Sequence, residues 1–572
     1  MKLDKYTAHK AASVIDDDRE FEESINEIKI DRRFDELKRS IGFGASSSEI
    51  IVFPADPGFG KSLKSAEKLG IMVKYGSLDK GALVVVSRLW EIDAYIKNAG
   101  LTDHDYAVFT GDAGYNVKGL GSGKVDEAVV LLTTQQMFRS RVKGKLFADC
   151  SEFHFHGAPR GLRLWDETID PAEAVCISRD QLTALFLPLR PVEPKFVATL
   201  EEFIGVCDRA AVDDMISISS AFARMAIGVE SARKKLLDKP QRETLKGLGL
   251  MEGTEAVKTP FYGTGWALAG CSHQLPADIA PLIVLDASAR VRRTYNLWQK
   301  RCPEVQVLEP LALRYDDLTF HLWKTGSGKS TLRKADKRNV ILDRAADLLN
   351  RDPHEEWLVI SHKADFVMDI EDELRKRLVN PSQFKFVNWG NHHGTNDYGH
   401  LKKVLMVGPQ LYSPAAYRAK YAAAAGTVGP VNPTDLQAVE RGEIAHNLLQ
   451  AICRSHVRKQ NKGFCGKADV YVIMADRNDP EDLLNETFPN CAILPWSPAR
   501  PVRGKAGEII RHLEAYFSDP KNLSISKADL RAATGMTIKA NLTRILRHEQ
   551  IKAYLLSRGL ENRYNSIDRA GS

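Results

Sequence analysis

The sequence predicts an α/β protein: two parallel-sheet lobes, a helical insertion in the first, and a small α-rich C-terminal domain. Three observations carry that reading. Short apolar runs recur, each ending in a polar turn and leading into a helical pattern, over residues 46–180 and 262–300 and again over 301–500. Such strand, turn and helix units build parallel sheets whose ligand edge lies at the strand C-termini. Residues 181–261 keep helical spacing alone, with Phe196, Leu200, Phe203 and Ile204, then Met215, Ile216, Ile218, Phe222 and Met225. Beyond the Pro-rich, basic stretch from Pro495 to Lys505, residues 501–572 read as short helices.

Bulk properties narrow the function classes. A chain of 572 residues has room for about three to four domains. With 44% hydrophobic and 27% charged residues, disorder is excluded as the default. A net charge of +6 permits a nucleic-acid partner without requiring one. Met1–Tyr6 has no signal-type apolar core and no run reaches a membrane-spanning length, so a cytoplasmic protein is expected. The eight cysteines are scattered without a Cys-x-x-Cys pair, which argues against a zinc ribbon or a disulfide framework.

In chain order, residues 1–45 form a charged helical extension, with Asp16-Asp17-Asp18 read as a solvated face. A buried strand, Ile50 to Pro54, then breaks into Ala55-Asp56-Pro57-Gly58-Phe59-Gly60-Lys61-Ser62 and opens a helix. Phosphate binding needs glycines that let backbone N–H groups approach the oxygens, a Lys for the β and γ phosphates, and a hydroxyl on Mg²⁺ at a helix N-terminus. Ala55, Gly58, Gly60, Lys61 and Ser62 supply that set, so ATP is the expected ligand. The string Gly119 to Lys124 lacks a buried strand before it and is read as a turn. Further strands end in Ser87-Arg88 and Thr133-Thr134, and Leu162 to Trp165 ends in Asp166-Glu167. ATP hydrolysis needs one carboxylate on Mg²⁺ and a second to orient the attacking water, and Asp166 and Glu167 suit those roles in that order.

The sheet resumes at Ala280 to Leu285, ending in Asp286-Ala287-Ser288-Ala289. In the second half, Trp357 to Ile360, Phe384 to Trp389, Lys403 to Gly408 and Val470 to Met474 repeat the pattern. Thr325 to Thr331 holds a second phosphate-loop string, Gly326-Ser327-Gly328-Lys329-Ser330. The charged residues after it favour a basic turn near nucleic-acid phosphates over a second ATP site. His392 and His393 are adjacent and point apart, a weak metal pair. Gln450, Arg454 and Arg458, four apart, are expected on one helix face, where a guanidinium can meet developing γ-phosphate charge. Near the C-terminus, Ala532 to Thr537 suits the turn of a helix-turn-helix or winged helix. The helix after it carries Lys539, Asn541, Arg544 and Arg547.

These segments resemble the superfamily 2 helicases over about residues 46–500. The phosphate loop has the form Ala-x-x-Gly-x-Gly-Lys-Ser, and Asp166-Glu167-Thr168-Ile169 matches the family's acidic box in its first two positions, with Asp170 one residue late. Asp286 to Ala289 resembles the Ser-Ala-Thr segment. Gln450 to Arg458 resembles the arginine helix, with Cys453 in place of its Gly. The resemblance implies two RecA-like lobes with ATP and Mg²⁺ between them, Lys61 and Ser62 on phosphate and metal, Asp166 on the metal, Glu167 on water, and Gln450, Arg454 and Arg458 reaching across. It also implies nucleic-acid contacts at Ser87, Arg88, Thr133, Ser288 and Thr395, to which the C-terminal Lys539 and Arg544 are added, with DNA favoured over RNA. A helicase or translocase follows; the alternative is a non-translocating ATP switch acting through the C-terminal module on transcription or assembly. Protein partners are expected, if anywhere, on the insertion or that module.

Overall fold

The computed structural model describes residues 3–43, 48–262, 265–273, 275–390, 397–496, 504–517, 519 and 521–569. Residues 1–496 and 497–572 form separate compact units.

Two parallel sheets dominate the first unit. One has seven strands in the order Val305–Val307, Ile50–Pro54, Leu282–Asp286, Leu162–Asp166, Ala82–Val86, Val130–Thr134, Tyr106–Phe109. Its central strands are buried at every position, which is why Ile50–Pro54, Ala82–Val86 and Leu282–Asp286 read as near-continuous apolar runs; Leu162–Asp166 departs from this with a buried Arg163. The other has six strands in the order Phe384–Asn388, Trp357–Ser361, Lys403–Val407, Ala468–Met474, Leu318–Lys324, Ala492–Pro495. The expected two-lobed α/β architecture is therefore what the chain adopts. Val305–Val307 carries the first lobe past the boundary expected at residue 300.

The insertion corrects the sequence reading. It holds helices at Pro194–Arg209, Ser220–Ala232 and Lys239–Leu250, but also an antiparallel sheet in the order Ala172–Ser178, Trp266–His273, Glu255–Pro260, Met215–Ser217. Met215 to Ile218, read as helical, begins as an edge strand in which Ile216 is buried while Met215 and Ser217 face outward. Three residues are too few to betray a period of two. One face of this sheet helps form the helical core around Phe196, Leu200, Phe222 and Leu248. The other meets the helix Pro414–Ala425 of the second lobe, whose alanines, Ala419, Ala422 and Ala423, pack against Ala172, Val257, Ala269 and Cys271.

The N-terminal extension is one helix, Leu3–Phe43. Phe34, Leu37 and Ile41 are buried in the core that includes Phe53, whose ring lies 5.7 Å from that of Phe34. Earlier along the same helix, Arg19 pairs with Asp317 at 3.0 Å, just before the second-lobe strand Leu318–Lys324, and Glu23 pairs with Lys462 at 3.2 Å, in a turn of the same lobe. No helix among the described residues is long and apolar enough to cross a membrane.

The C-terminal unit has its own core of Ile509, Leu513, Leu530, Leu542, Ile551 and Ile567. Helices Gly504–Phe517, Lys527–Ala533, Lys539–Leu546 and Glu549–Ser557 accompany an antiparallel sheet ordered Ser524–Ser526, Ser566–Arg569, Leu560–Asn562. It is thus less purely helical than the sequence suggested: a short strand lies between the first two helices and a hairpin follows the last.

Candidate nucleotide site between the lobes

The phosphate loop turns at the C-terminal end of Ile50–Pro54 and opens the helix Lys61–Lys74. Gly58 and Gly60 sit at φ 104° and 78°, backbone that only glycine adopts without strain. Gly58 also has no room for a side chain, since a Cβ there would lie 2.2 Å from the carbonyl oxygen of Arg458. Lys61 is buried and folds back over the loop, its Nζ donating to the Ala55 carbonyl at 2.6 Å. Burial pushes its pKa down, against the pull of the Asp166, Asp286 and Asp56 carboxylates.

Asp166 ends its strand within the same cleft. Burial raises its pKa, while the Ser62 hydroxyl, Lys61 and the Tyr95 hydroxyl act the other way. Glu167 follows at φ 78°, a left-handed conformation rare for a residue with a side chain. Its N–H is held by the Leu285 carbonyl at 3.2 Å, which fixes that unusual turn between two neighbouring strands. Burial and the Asp166 charge raise its pKa, with Arg454 opposing. Two adjacent carboxylates with incomplete charge compensation, next to a hydroxyl and a lysine, fit a divalent cation bound with a polyphosphate.

The second lobe supplies the facing wall. Gln450, Cys453, Arg454 and Arg458 line a cleft of about 300 Å³ together with Gly58, Gly60, Lys61, Ser62, Asp166 and Glu167, a volume at the lower end of ligand pockets. The helical spacing argument fails here, although Gln450, Arg454 and Arg458 do line one cleft. The helix Pro433–Ile452 ends before Arg454, and Arg458 lies in a separate short turn, His456–Arg458. The two arginines reach one cleft from the turns that follow the helix, not from a shared helix face.

Several expected nucleic-acid contacts are placed otherwise. Thr133 is fully buried and its hydroxyl donates to the Phe109 carbonyl at 2.6 Å. Ser288 is also fully buried, donating to Asp286 at 2.7 Å. Neither reaches a surface, so both are withdrawn as strand contacts; these hydroxyls satisfy strand ends instead. Asp286 further accepts from Thr168 at 3.1 Å and from Tyr295 at 2.5 Å, which ties the acidic box to the strand beside it. Ser87 is half-buried and Arg88 exposed. Thr395, with His392 and His393, lies outside the described residues, and so does the side chain of Lys539. Arg544 is exposed on the separate C-terminal unit.

No protein-family model matches the sequence, and no curated protein matches it. The solved structures that resemble it include helicases. A structure described as XPD in its apo form aligns over 81% of this chain and 100% of its own, at 12% identity and a TM-score of 0.49. Xpd4 of S. tokodaii aligns over 80% and 99% at 11% identity and 0.43. The DEAD-box helicase Mss116 bound to ssRNA and UDP-BeF aligns over 90% of each chain at 11% identity and 0.29.

The structure also adds residues that no sequence motif marks. Glu91 Oε2 accepts from the Ser87 N–H at 2.9 Å, the Ser87 hydroxyl at 3.0 Å and the Arg88 N–H at 2.9 Å. Burial, with Glu167 and Asp166 close by, pushes its pKa up to about 7. Asp56, inside the loop, takes both ends of the Arg290 guanidinium at 3.1 Å. Arg292, buried, bridges Asp170 at 2.8 Å and Glu443 at 2.9 Å, and Lys420 meets Glu443 at 2.8 Å. Asp170 belongs to the first lobe, Glu443 and Lys420 to helices of the second. Single charged residues far apart in sequence give no local signal of such a network.

Proposed function

We propose that the chain is an ATP-dependent nucleic-acid helicase or translocase. One observation carries this reading: a phosphate loop and an Asp-Glu pair at strand ends of one lobe share a single cleft with Gln450, Arg454 and Arg458 of the other. A nucleotide seated there would touch both lobes, so its γ-phosphate would be sensed by their separation.

In this reading the loop N–H groups and Lys61 take the β and γ phosphates, and Ser62 and Asp166 would hold Mg²⁺. That ion would neutralise phosphate charge as the bond breaks. Glu167 orients and deprotonates the attacking water, its pKa raised by burial and the Asp166 charge, which makes it a stronger base than an exposed carboxylate. Arg454 and Arg458 meet the charge that builds on the γ-phosphate oxygens. Exposed Arg88, beside Ser87, is a backbone contact for a strand, since guanidinium groups grip phosphates without reading bases. The Glu91 carboxylate links that turn to the hydrolytic carboxylates.

The test is steady-state ATP hydrolysis by the full chain, with and without single-stranded DNA, single-stranded RNA and duplex DNA, followed by strand separation on a tailed duplex. Stimulation by a strand, with unwinding, supports the proposal. Hydrolysis indifferent to every polymer would favour the ATP switch.

A further inference from the structure

The net charge of the protein is concentrated in its last 76 residues. Residues 497–572 carry 14 Lys and Arg against 7 Asp and Glu, a net +7. The chain as a whole is +6, so residues 1–496 balance at −1. An even spread would have put less than +1 there. A basic domain joined to a neutral one marks the partner of the basic part as a polyanion.

The fold says which surface meets it. In the helix Lys539–Leu546, Leu542 and Leu546 are buried in the unit's core, whereas Ala540, Thr543, Arg544 and Arg547 line a shallow hollow on the outer side. Those four are spaced three and four apart, so they occupy one face of the helix and the residue after it. No carboxylate pairs with Arg544 or Arg547 among the described residues. Thr534, Gly535 and Met536 make the turn that leads into this helix, with Gly535 at φ 63°. The hairpin Leu560–Asn562 and Ser566–Arg569 carries exposed Tyr564 at its tip, and the Lys527 ammonium donates to the Tyr564 carbonyl at 3.1 Å, pinning the tip to the start of another helix.

We propose that this module is a duplex-DNA docking site distinct from the cleft between the lobes. The helix Lys539–Leu546 would enter the major groove, and the hairpin would lie along the neighbouring backbone. Eight residues span about 12 Å of helix. That matches one crossing of the B-form major groove, which is about 12 Å wide, whereas the deep, narrow groove of an RNA duplex does not admit a helix. Small Ala540 lets the helix approach closely, while Arg544 and Arg547 supply phosphate or guanine contacts. This site is independent of ATP turnover, so it stands or falls separately from the helicase reading.

The test uses the full chain carrying Lys61→Ala, to remove turnover, and measures fluorescence anisotropy with a labelled blunt duplex DNA, the same sequence as duplex RNA, and a single strand, over a series of salt concentrations. Arg544→Ala with Arg547→Ala should weaken duplex-DNA binding about tenfold or more and lower the salt slope by about 2, one for each lost contact. Arg544→Lys with Arg547→Lys should keep most of the salt-dependent affinity. In the background that retains Lys61, the double Ala variant should leave basal ATP hydrolysis unchanged. Thermal melting checks that the module stays folded; if the Ala pair melts early, the Lys pair and the duplex DNA to duplex RNA ratio of the parent chain decide. Duplex RNA bound as tightly as duplex DNA, or an unchanged affinity in the folded Ala pair, would overturn the proposal.

Discussion

Two stretches of this chain spell Gly-x-Gly-Lys-Ser after a strand, and they fold differently. In the first, Gly58 and Gly60 adopt left-handed backbone, Lys61 is buried over the loop, and the helix that follows runs for 14 residues. In the second, Gly328 sits at φ −65°, the helix Lys329–Leu332 lasts four residues, and Lys329 lies half in solvent, 3.6 Å from Asp365. The difference lies in what faces each loop. The strand of the first has Leu282–Asp286 beside it and Leu162–Asp166 next in the sheet, so an acidic pair meets its open side. The second lies at the ends of Ala468–Met474 and Lys403–Val407, where the Ser327 hydroxyl donates to the Ile473 carbonyl and its backbone abuts Gly408, which also borders His362. A motif string fixes what a loop can do; strand order decides whether its partners arrive.

The largest expected effects break the first loop alone. Lys61→Ala and Glu167→Gln should each lower kcat for ATP about 1000-fold, the first by removing charge on the phosphates and the second by removing the base. Glu167→Gln should still bind nucleotide, read by fluorescent-nucleotide titration. Retained turnover in either variant would move the active cleft elsewhere. Next, Arg454→Ala should cost about 100-fold in kcat with little change in nucleotide affinity, because its charge acts on the transition state across the lobe boundary.

Glycine substitutions sharpen the comparison further. At Gly58 a methyl group would meet the Arg458 carbonyl at 2.2 Å in a conformation hostile to side chains. Gly58→Ala should therefore cost about tenfold in kcat/KM and about 2 kcal/mol in stability. At Gly328 the nearest atom to such a methyl is 3.9 Å away and φ is ordinary. Gly328→Ala should change kcat/KM and Tm by little, and an equal loss at both positions would mean that both loops work alike.

How much of this was legible depends on range. The phosphate loop, the buried strands and the acidic pair are local patterns, and all lie where their residues suggested. The insertion was misread because Ala172–Ser178 pairs with Trp266–His273 across about 90 residues, a pairing that no short window contains. Thr133 and Ser288 read in sequence as nucleic-acid contacts because a hydroxyl at a strand end looks the same whether it serves a ligand or a neighbouring protein acceptor. Arg292 and Glu443 were invisible, since a buried ion pair between distant segments has no period and no motif.

The smallest effect at neutral pH belongs to the second loop. Lys329→Ala should leave ATP hydrolysis within about twofold, because its partner is Asp365 and not a phosphate-binding turn. Its neighbour His362 is buried, and burial together with the Lys329 charge lowers its pKa from 6.5 to about 4. The folded chain then keeps His362 neutral where the unfolded chain takes up a proton. Stability attributable to this group is complete above pH 6.5 and is lost as pH falls toward 4, by up to about 3 kcal/mol. Burial and the Arg292 charge lower the pKa of His446 as well, so it acts in the same direction. His362→Asn should therefore lessen the acid sensitivity between pH 6.5 and 4 in denaturant melts. An unchanged slope in His362→Asn would mean that this histidine is protonated in the fold, and that the second loop lies open to water or to an anion after all.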